Sequence, residues 1–308
     1  MISTICLNPS FDKTVEMDQL QIGVVNRIRT VRLDPGGKGI NVGIVAKRLG
    51  LDVQCLGIMG ENGSEQLSSM LDREGLKHHF MTVPGNVRTN MKICLNGKPS
   101  VTELNEPGAA VTNDDINRFF DLAKEKTSDS DIVVITGSLP PGSPTGIYRD
   151  LMKALEGKKC ILDTEGPELE LGAKGAHPFL IKPNLHEMEV TLGLELRTMR
   201  SIRDAALLFI RLGVSHAVVS MGAMGAMYIC HDKTLFAPAL RVEPRSTVGA
   251  GDAMIGGMLL GYEIEGDMAK AFRYGVAAGA ASVMTEGTQL IVKEDFDKLL
   301  EQVRIQEV

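Results

Sequence analysis

Short apolar runs in this chain end repeatedly on polar or glycine-rich residues. Residues 1–7 stop at Asn8-Pro9, with Asp12 just beyond. Residues 131–136 stop at Gly137-Ser138, residues 160–162 at Asp163, and residues 217–219 at Ser220. Residues 179–181 stop at Lys182-Pro183-Asn184, and a helix then carries Glu187. Stretches with helical spacing at 114–126, 145–155 and 202–212 separate the later runs. Strands alternating with helices in this way build an α/β fold. Such folds take ligands at the carboxyl ends of their strands. A single polar residue there is an ordinary turn former, as Asp12 after Pro9 would be by itself. Several on one rim make a binding site the expectation.

Two regions break the rhythm. Residues 14–17 and 25–31 alternate like half-exposed strands, and residues 80–83, 88–95 and 100–104 form a second cluster of short strands. Together they predict a small lid sheet, inserted from about 13–33 and 78–105 into a single domain spanning 1–308. Arg88 in this insert has the forked donor geometry to hold a phosphate. Its plain alternative is a solvated strand arginine.

Two glycine-rich loops each lead into a helix. Pro35-Gly36-Gly37-Lys38-Gly39-Ile40-Asn41 opens one through Val42, Val45, Ala46 and Leu49. Paired glycines allow unusual backbone angles and close ligand approach, and Asn41 would offer both a donor and an acceptor. Ser246-Thr247-Val248-Gly249-Ala250-Gly251-Asp252 runs into an apolar stretch, with further helices expected at 268–284 and 294–305. A helix beginning near Gly249 presents unpaired N–H groups and a positive dipole end to an anion. Asp252 would sit in its first turn. Amides that take developing charge, beside a carboxylate that takes a proton, suit phosphoryl transfer to a hydroxyl. Taken alone, the stretch reads equally well as a tight turn with an acidic first-turn residue. Walker A spacing is absent throughout. A nicotinamide-dependent dehydrogenase needs G-x-G-x-x-G after the first strand; that segment lacks it, and in the second loop Met254 stands where the third glycine belongs.

Lys and Arg total 33 against 39 Asp and Glu, a net charge of −6, which speaks against broad nucleic-acid or anionic-membrane binding. No run of about 18 apolar residues predicts a membrane span. The N-terminal segment lacks the charged and apolar regions of a signal peptide. The five cysteines are scattered without a C-x-x-C pair and read as buried hydrophobes in a reducing compartment. A cytoplasmic location is the expectation.

Four motifs occur in order: GGKGIN at 36–41, GSLPPG at 137–142, KPN at 182–184 with Glu187, and STVGAGD at 246–252. Together they resemble the PfkB carbohydrate kinases of the ribokinase superfamily, from Leu7 to about Thr288. Thr102-Glu103-Leu104-Asn105-Glu106-Pro107-Gly108, with Arg88-Thr89-Asn90, looks most like the 1-phosphofructokinase group. Tagatose-6-phosphate kinase and the minor 6-phosphofructokinase are close relatives of that group. The resemblance implies a three-layer ribokinase-like α/β sandwich with a small β-sheet lid, often used for homodimerisation. It implies ATP and Mg²⁺, and a ketohexose phosphate such as fructose 1-phosphate as acceptor. Asp252 would be the general base, and the Gly249, Ala250 and Gly251 amides the anion hole. Asp12, Gly37, Lys38, Asn41, Arg88 and Ser138 would face the sugar phosphate. Lys182, Asn184 and Glu187 would serve the nucleotide phosphates, Asn184 and Glu187 in the Mg²⁺ shell. Ser220, Gly222 and Gly225 would flank the nucleotide, with Gly279 and Ala280 near its base. Some relatives also use a monovalent cation; the loop Thr285-Glu286-Gly287-Thr288-Gln289 leaves that open. A non-catalytic sugar-phosphate sensor on the same fold would be expected to lose Asp252 or its glycines, and all are present.

Two polyanions side by side in an acidic protein require local donors. Lys38, Arg88, Lys182, Mg²⁺ and a helix N-terminus are the candidates, with Asn26 and Arg27 from the lid. A closing lid would exclude water from the transferring group.

Overall fold

The computed structural model describes residues 1–96, 101–287 and 289–308. The first half holds β1 (Ile2–Cys6), β2 (Ser10–Met17), β3 (Thr30–Gly36), α1 (Lys38–Arg48), β4 (Val53–Asn62) and α2 (Ser64–Arg73). It continues through β5 (Lys77–Asn86), β6 (Arg88–Leu95), β7 (Val101–Asn105), α3 (Asn113–Lys126), β8 (Ile132–Thr136) and α4 (Ile147–Ala154). Then follow β9 (Lys159–Asp163), α5 (Gly166–Ala176), β10 (Leu180–Ile181), α6 (Leu185–Leu192), α7 (Met199–Arg211) and β11 (His216–Ser220). The chain ends with β12 (Ala226–Cys230), β13 (Thr234–Ala237), α8 (Ala250–Glu265), α9 (Met268–Val283), α10 (Lys293–Leu300) and β14 (Gln306–Glu307).

The large sheet has the order β14-β13-β12-β11-β10-β9-β8-β1-β4-β5, parallel from β5 to β11 and antiparallel beyond. All five residues of β1 and of β8 are buried. Side chains alternate across a strand, so Ile132 and Val134 join the core beneath α1, α8 and α9, while Val133 and Ile135 join the core beneath α3, α4 and α7. The result is three layers with helices on both faces, as a parallel sheet requires. From β1 the chain builds outward to β4 and β5, then returns and adds β8 to the other side of β1. The carboxyl ends of β1 and β8 flank that reversal, where α/β sheets open a crevice.

A four-stranded sheet of order β3-β2-β6-β7 stands over this edge. Its membership corrects the expected boundaries. Residues 80–83, expected in the lid, lie in β5, which pairs in parallel with β4 at the edge of the large sheet. Alternation marks a strand but does not say which sheet it joins. Residues 25–29 are not strand: Asn26 folds back to bond the backbone of Gln21 and Val24, and β3 starts at Thr30. Strand β2 starts at Ser10, so Asp12 is itself a lid residue. The start of the expected strand 100–104 falls at Ser100, outside the described residues. Helix α5 was not foreseen, and the helix expected at 294–305 stops at Leu300.

Candidate active site

A cavity of about 1070 Å³ lies between the carboxyl edge of the large sheet and the lid. Every residue singled out in the sequence for catalysis, substrate, nucleotide or metal lines it, apart from the lid donors Asn26 and Arg27.

The second glycine loop does form a helix start. Gly249 caps α8 at φ 79°, a left-handed angle that favours glycine, and a Cβ there would meet Leu290 Cδ2 at 2.8 Å. The N–H groups of Gly249, Gly251 and Asp252 find no acceptor among the described residues. They are left to a ligand or water. Gly251 is equally constrained, since a Cβ would meet Lys182 Nζ at 3.0 Å. Ala250 stands between these two glycines on the cavity wall.

Asp252 is 5% exposed, in the first turn of α8. Asn41, in the first turn of α1, donates Nδ2 to Asp252 Oδ2 at 2.8 Å. Burial pushes the Asp252 carboxyl up to about 6; Lys38 pulls against this and the Asp163 charge adds to it. The side chain therefore lies where a base can take and release a proton near neutral pH.

Two lysines and two further carboxylates surround it. Lys182 Nζ lies 3.0 Å from Asp163 Oδ1, and Lys38 Nζ lies 3.6 Å from Asp163 Oδ2 and 3.4 Å from Glu187 Oε1. Thr136 Oγ1 donates to Asp163 Oδ2 at 2.9 Å. Burial alone would raise the Asp163 carboxyl, but Lys182, Lys38 and these hydrogen bonds hold it down at about 2. The Asp163 charge, with those of Glu187 and Asp252, drives Lys38 above the ordinary lysine range despite its burial. The Lys38 ammonium thus stays charged at the cavity wall.

Glu187 and Asn184 cap α6 reciprocally: Asn184 N–H donates to Glu187 Oε2 and Glu187 N–H to Asn184 Oδ1, both at 2.8 Å. This leaves Glu187 Oε1 beside Lys38. Mg²⁺ is commonly held by one or two carboxylates plus substrate phosphates, and a single carboxylate oxygen on the cavity wall fits that arrangement. Among the described residues there is no cluster of three or more His, Cys, Asp or Glu that would hold a metal alone.

The lid end is equally ordered. Arg88 donates Nε to Asn8 O at 3.0 Å, one terminal nitrogen to Glu106 O at 3.3 Å and the other to Ser138 Oγ at 3.0 Å. It is therefore not a freely solvated arginine. Asp12 is buried against Lys92, and accepts a hydrogen bond from Ser10 Oγ at 2.9 Å. Gly36 fits beneath it only without a side chain, since a Cβ would meet Asp12 Oδ1 at 2.2 Å. Gly37 is the N-cap of α1 at φ 108°. Lys92 was not among the sequence candidates, although the spacing Arg88-x-Asn90-x-Lys92 puts all three on one strand face. Asn26 and Arg27 lie outside the cavity lining.

At the other end, Ser220 bridges Asn184, and Gly222 and Gly225 flank a short 3-10 turn before β12. Leu240, Val242, Val276 and Val283 make this end apolar, with Gly279 and Ala280 between the two valines of α9. These four apolar residues were also missed. Nothing in their local sequence separates a cavity wall from core.

One cavity therefore has an apolar slot, a charged middle with a buried carboxylate at a helix start, and a polar lid. The sequence model for the pfkB family carbohydrate kinases matches residues 7–295. The chain belongs to the pfkB family. The expected ribokinase-like sandwich is the fold of these kinases, and the chain is a sugar kinase. It is 33% identical over 307 residues to the 1-phosphofructokinase of Haemophilus influenzae, covering 99% of this chain and 97% of that one. The 1-phosphofructokinase of Bacillus subtilis is 31% identical, with 99% of each chain covered. The structure of Escherichia coli phosphofructokinase-2 in complex with potassium superposes with TM-score 0.91 at 30% identity, covering 98% of both chains. Among the described residues no helix is long and apolar enough to cross a membrane.

Proposed function

We propose that this pfkB kinase transfers the γ-phosphoryl group of ATP to a ketohexose phosphate, converting fructose 1-phosphate to fructose 1,6-bisphosphate. The observation that carries the mechanism is Asp252: a buried carboxylate with a raised pKa, in the first turn of a helix at whose start the Gly249, Gly251 and Asp252 amides are unpaired among the described residues. Asp252 takes the proton of the attacking hydroxyl, oriented by Asn41. The amides of Gly249, Ala250 and Gly251 receive the charge that develops on the transferred group. Lys38 and Lys182, both paired with Asp163, face the phosphates between nucleotide and sugar. Mg²⁺, held through Glu187 and Asn184 when bound, supplies charge neutralisation at the nucleotide phosphates. The adenine end occupies the slot of Val276, Gly279, Ala280 and Val283, with Ser220, Gly222 and Gly225 beside the nucleotide.

Arg88 and Ser138 form the grip for the phosphate the sugar already carries. A fixed guanidinium with its hydroxyl partner at 3.0 Å is preorganised for an anion. The relatives named 1-phosphofructokinase support fructose 1-phosphate; the likeness to phosphofructokinase-2 supports fructose 6-phosphate as the second reading, with tagatose 6-phosphate beside it. The same reading pairs two copies of the chain through the lid, where Val31, Leu33 and Leu104 expose apolar surface.

The test is turnover of fructose 1-phosphate, fructose 6-phosphate, tagatose 6-phosphate and fructose with ATP and Mg²⁺, with and without K⁺. The reading expects the highest kcat/KM with fructose 1-phosphate. A preference for unphosphorylated fructose, or no turnover of any phosphosugar, would sink it. Light scattering at assay concentration checks the dimer.

A further inference from the structure

Lys92 is the one buried lysine among the described residues of the lid, and the mechanism above does not use it. It is 3% exposed, and so is its partner Asp12. Lysines are almost never this buried unless paired, and a buried pair seldom repays its desolvation by attraction alone.

The register of the lid shows what surrounds it. Arg88, Asn90 and Lys92 alternate along β6 and share one face, and all three line the cavity. Asn90 stands opposite Asp12 on one side and Asn105 on the other, and Lys92 stands opposite Glu103. Asp12, Glu103 and Asn105 also line the cavity, so a continuous polar wall faces the ligand space.

Its hydrogen bonds have a direction. Asn90 donates Nδ2 to Ser10 Oγ at 3.1 Å and to Asp12 Oδ1 at 3.4 Å, while Lys92 donates to Asp12 Oδ2. That orientation leaves Asn90 Oδ1 buried and without a partner among the described residues. A buried acceptor left without a donor is costly, so the wall calls for a donor from a ligand. A phosphate supplies none when ionised, and Asp12 and Glu103 would repel it. A sugar hydroxyl both donates and accepts. It can donate to Asn90 or Asp12 and accept one of the remaining N–H groups of Lys92.

We propose that Lys92 is a specificity-determining residue of the acceptor site: it donates to one sugar hydroxyl while Asp12 and Asn90 accept from its neighbour. The inference rests on the sugar-phosphate kinase reading. It adds that the lid reads the stereochemistry of the hydroxyls, separately from the phosphate grip at Arg88.

The experiment is steady-state kinetics of the full chain with fructose 1-phosphate and with its C4 epimer, tagatose 1-phosphate. The proteins are the wild type, Lys92→Met, Lys92→Arg, Asp12→Asn and the double variant Asp12→Asn/Lys92→Met. Lys92→Met should raise the KM for fructose 1-phosphate by about tenfold or more, the loss expected for a charge-assisted hydrogen bond. The KM for ATP should stay unchanged, the preference between the epimers should shrink, and Lys92→Arg should restore part of both. If Lys92→Met folds poorly around a lone buried Asp12, the double variant answers instead. Relative to Asp12→Asn it should show a further rise in sugar KM and a further loss of epimer preference. Unchanged KM and preference at that step would mean that Lys92 only neutralises Asp12, and would overturn the proposal while leaving the kinase reading intact. A wild type that phosphorylates no phosphosugar overturns both.

Discussion

Asn41 Nδ2 lies 2.8 Å from Asp252 Oδ2, joining the first turn of α1 to the first turn of α8. The two glycine-rich loops, more than two hundred residues apart in sequence, thus meet at one carboxylate. The bond holds one oxygen of the Asp252 side chain and leaves the other free of Asn41, as the proposed base role requires. Asn41 Oδ1 is buried without a partner among the described residues.

Asp252→Asn keeps the size of the side chain and a partner for Asn41. Turnover should fall by about 10²-fold or more, the usual contribution of a general base. Binding of the sugar phosphate, measured by calorimetry, should persist. A variant that keeps most of its turnover would remove Asp252 from the role of base.

The pH dependence follows from burial of the same group. Asp252 must be ionised to accept a proton, and its pKa is raised from 3.8 to about 6. The kcat/KM for the sugar phosphate should therefore rise with pH through about 6 and level off above it. Stability runs the other way. A carboxyl with a folded pKa above its unfolded value favours folding fully below the unfolded value and loses that contribution as pH rises through the folded one. Asp252→Asn should melt at a higher temperature than the wild type at pH 8, and the difference should vanish below about pH 4. A kcat/KM that is flat from pH 5 to 8 would contradict the assignment.

Gly249→Ala would force a side chain onto a backbone at φ 79° and against Leu290 Cδ2, 2.8 Å from the new Cβ. The left-handed angle alone costs about 1–2 kcal/mol for a residue with a Cβ. The melting temperature should drop. Turnover should drop further than that cost explains, because the displaced turn carries the unpaired amides proposed to bind the transferred group. A destabilised variant with wild-type kcat would separate the cap from the chemistry.

Arg88→Lys keeps the charge but cannot reproduce the three bonds from one planar fork to Asn8 O, Glu106 O and Ser138 Oγ. The KM for fructose 1-phosphate should rise by about tenfold, as for loss of a charge-assisted hydrogen bond, with the KM for ATP unaffected. An equal rise for unphosphorylated fructose would mean that Arg88 does not read the phosphate.

Much of the site was legible because its backbone demands announce themselves. Gly37 and Gly249 have angles that favour glycine, and Asp163, Lys182 and Ser220 stand at strand ends, where a parallel sheet exposes its ligand edge. The apolar slot was not legible, since Val276 and Val283 belong to a helix otherwise packed in the core and differ from it in nothing local. Helix α5 escaped for a related reason. It packs through Gly172 and Ala173, and a Cβ on Gly172 would meet Leu162 Cδ2 at 2.5 Å, so no large apolar stripe marks it. Lys92 escaped because a lysine in an alternating strand reads as solvent-facing until the register shows a carboxylate opposite.

Lys182→Met tests the charged middle of the cavity. Asp163 is fully buried, and its carboxyl is held at about 2 by Lys182 and Lys38 against the pull of burial. A folded pKa below the unfolded 3.8 means that Asp163 contributes stability above pH 3.8 and loses it as pH falls through about 2. Removing Lys182 leaves one lysine, 3.6 Å away and shared with Glu187, to balance that charge. Breaking a buried pair from one side typically costs about 3–5 kcal/mol. Lys182→Met should therefore melt well below the wild type at pH 7, by an amount that narrows towards pH 3. Asp163→Asn in the same variant should recover much of the loss, because it removes the charge that the missing lysine left unpaired. If the double variant is no more stable than Lys182→Met, the pair is not what holds this part of the cavity together.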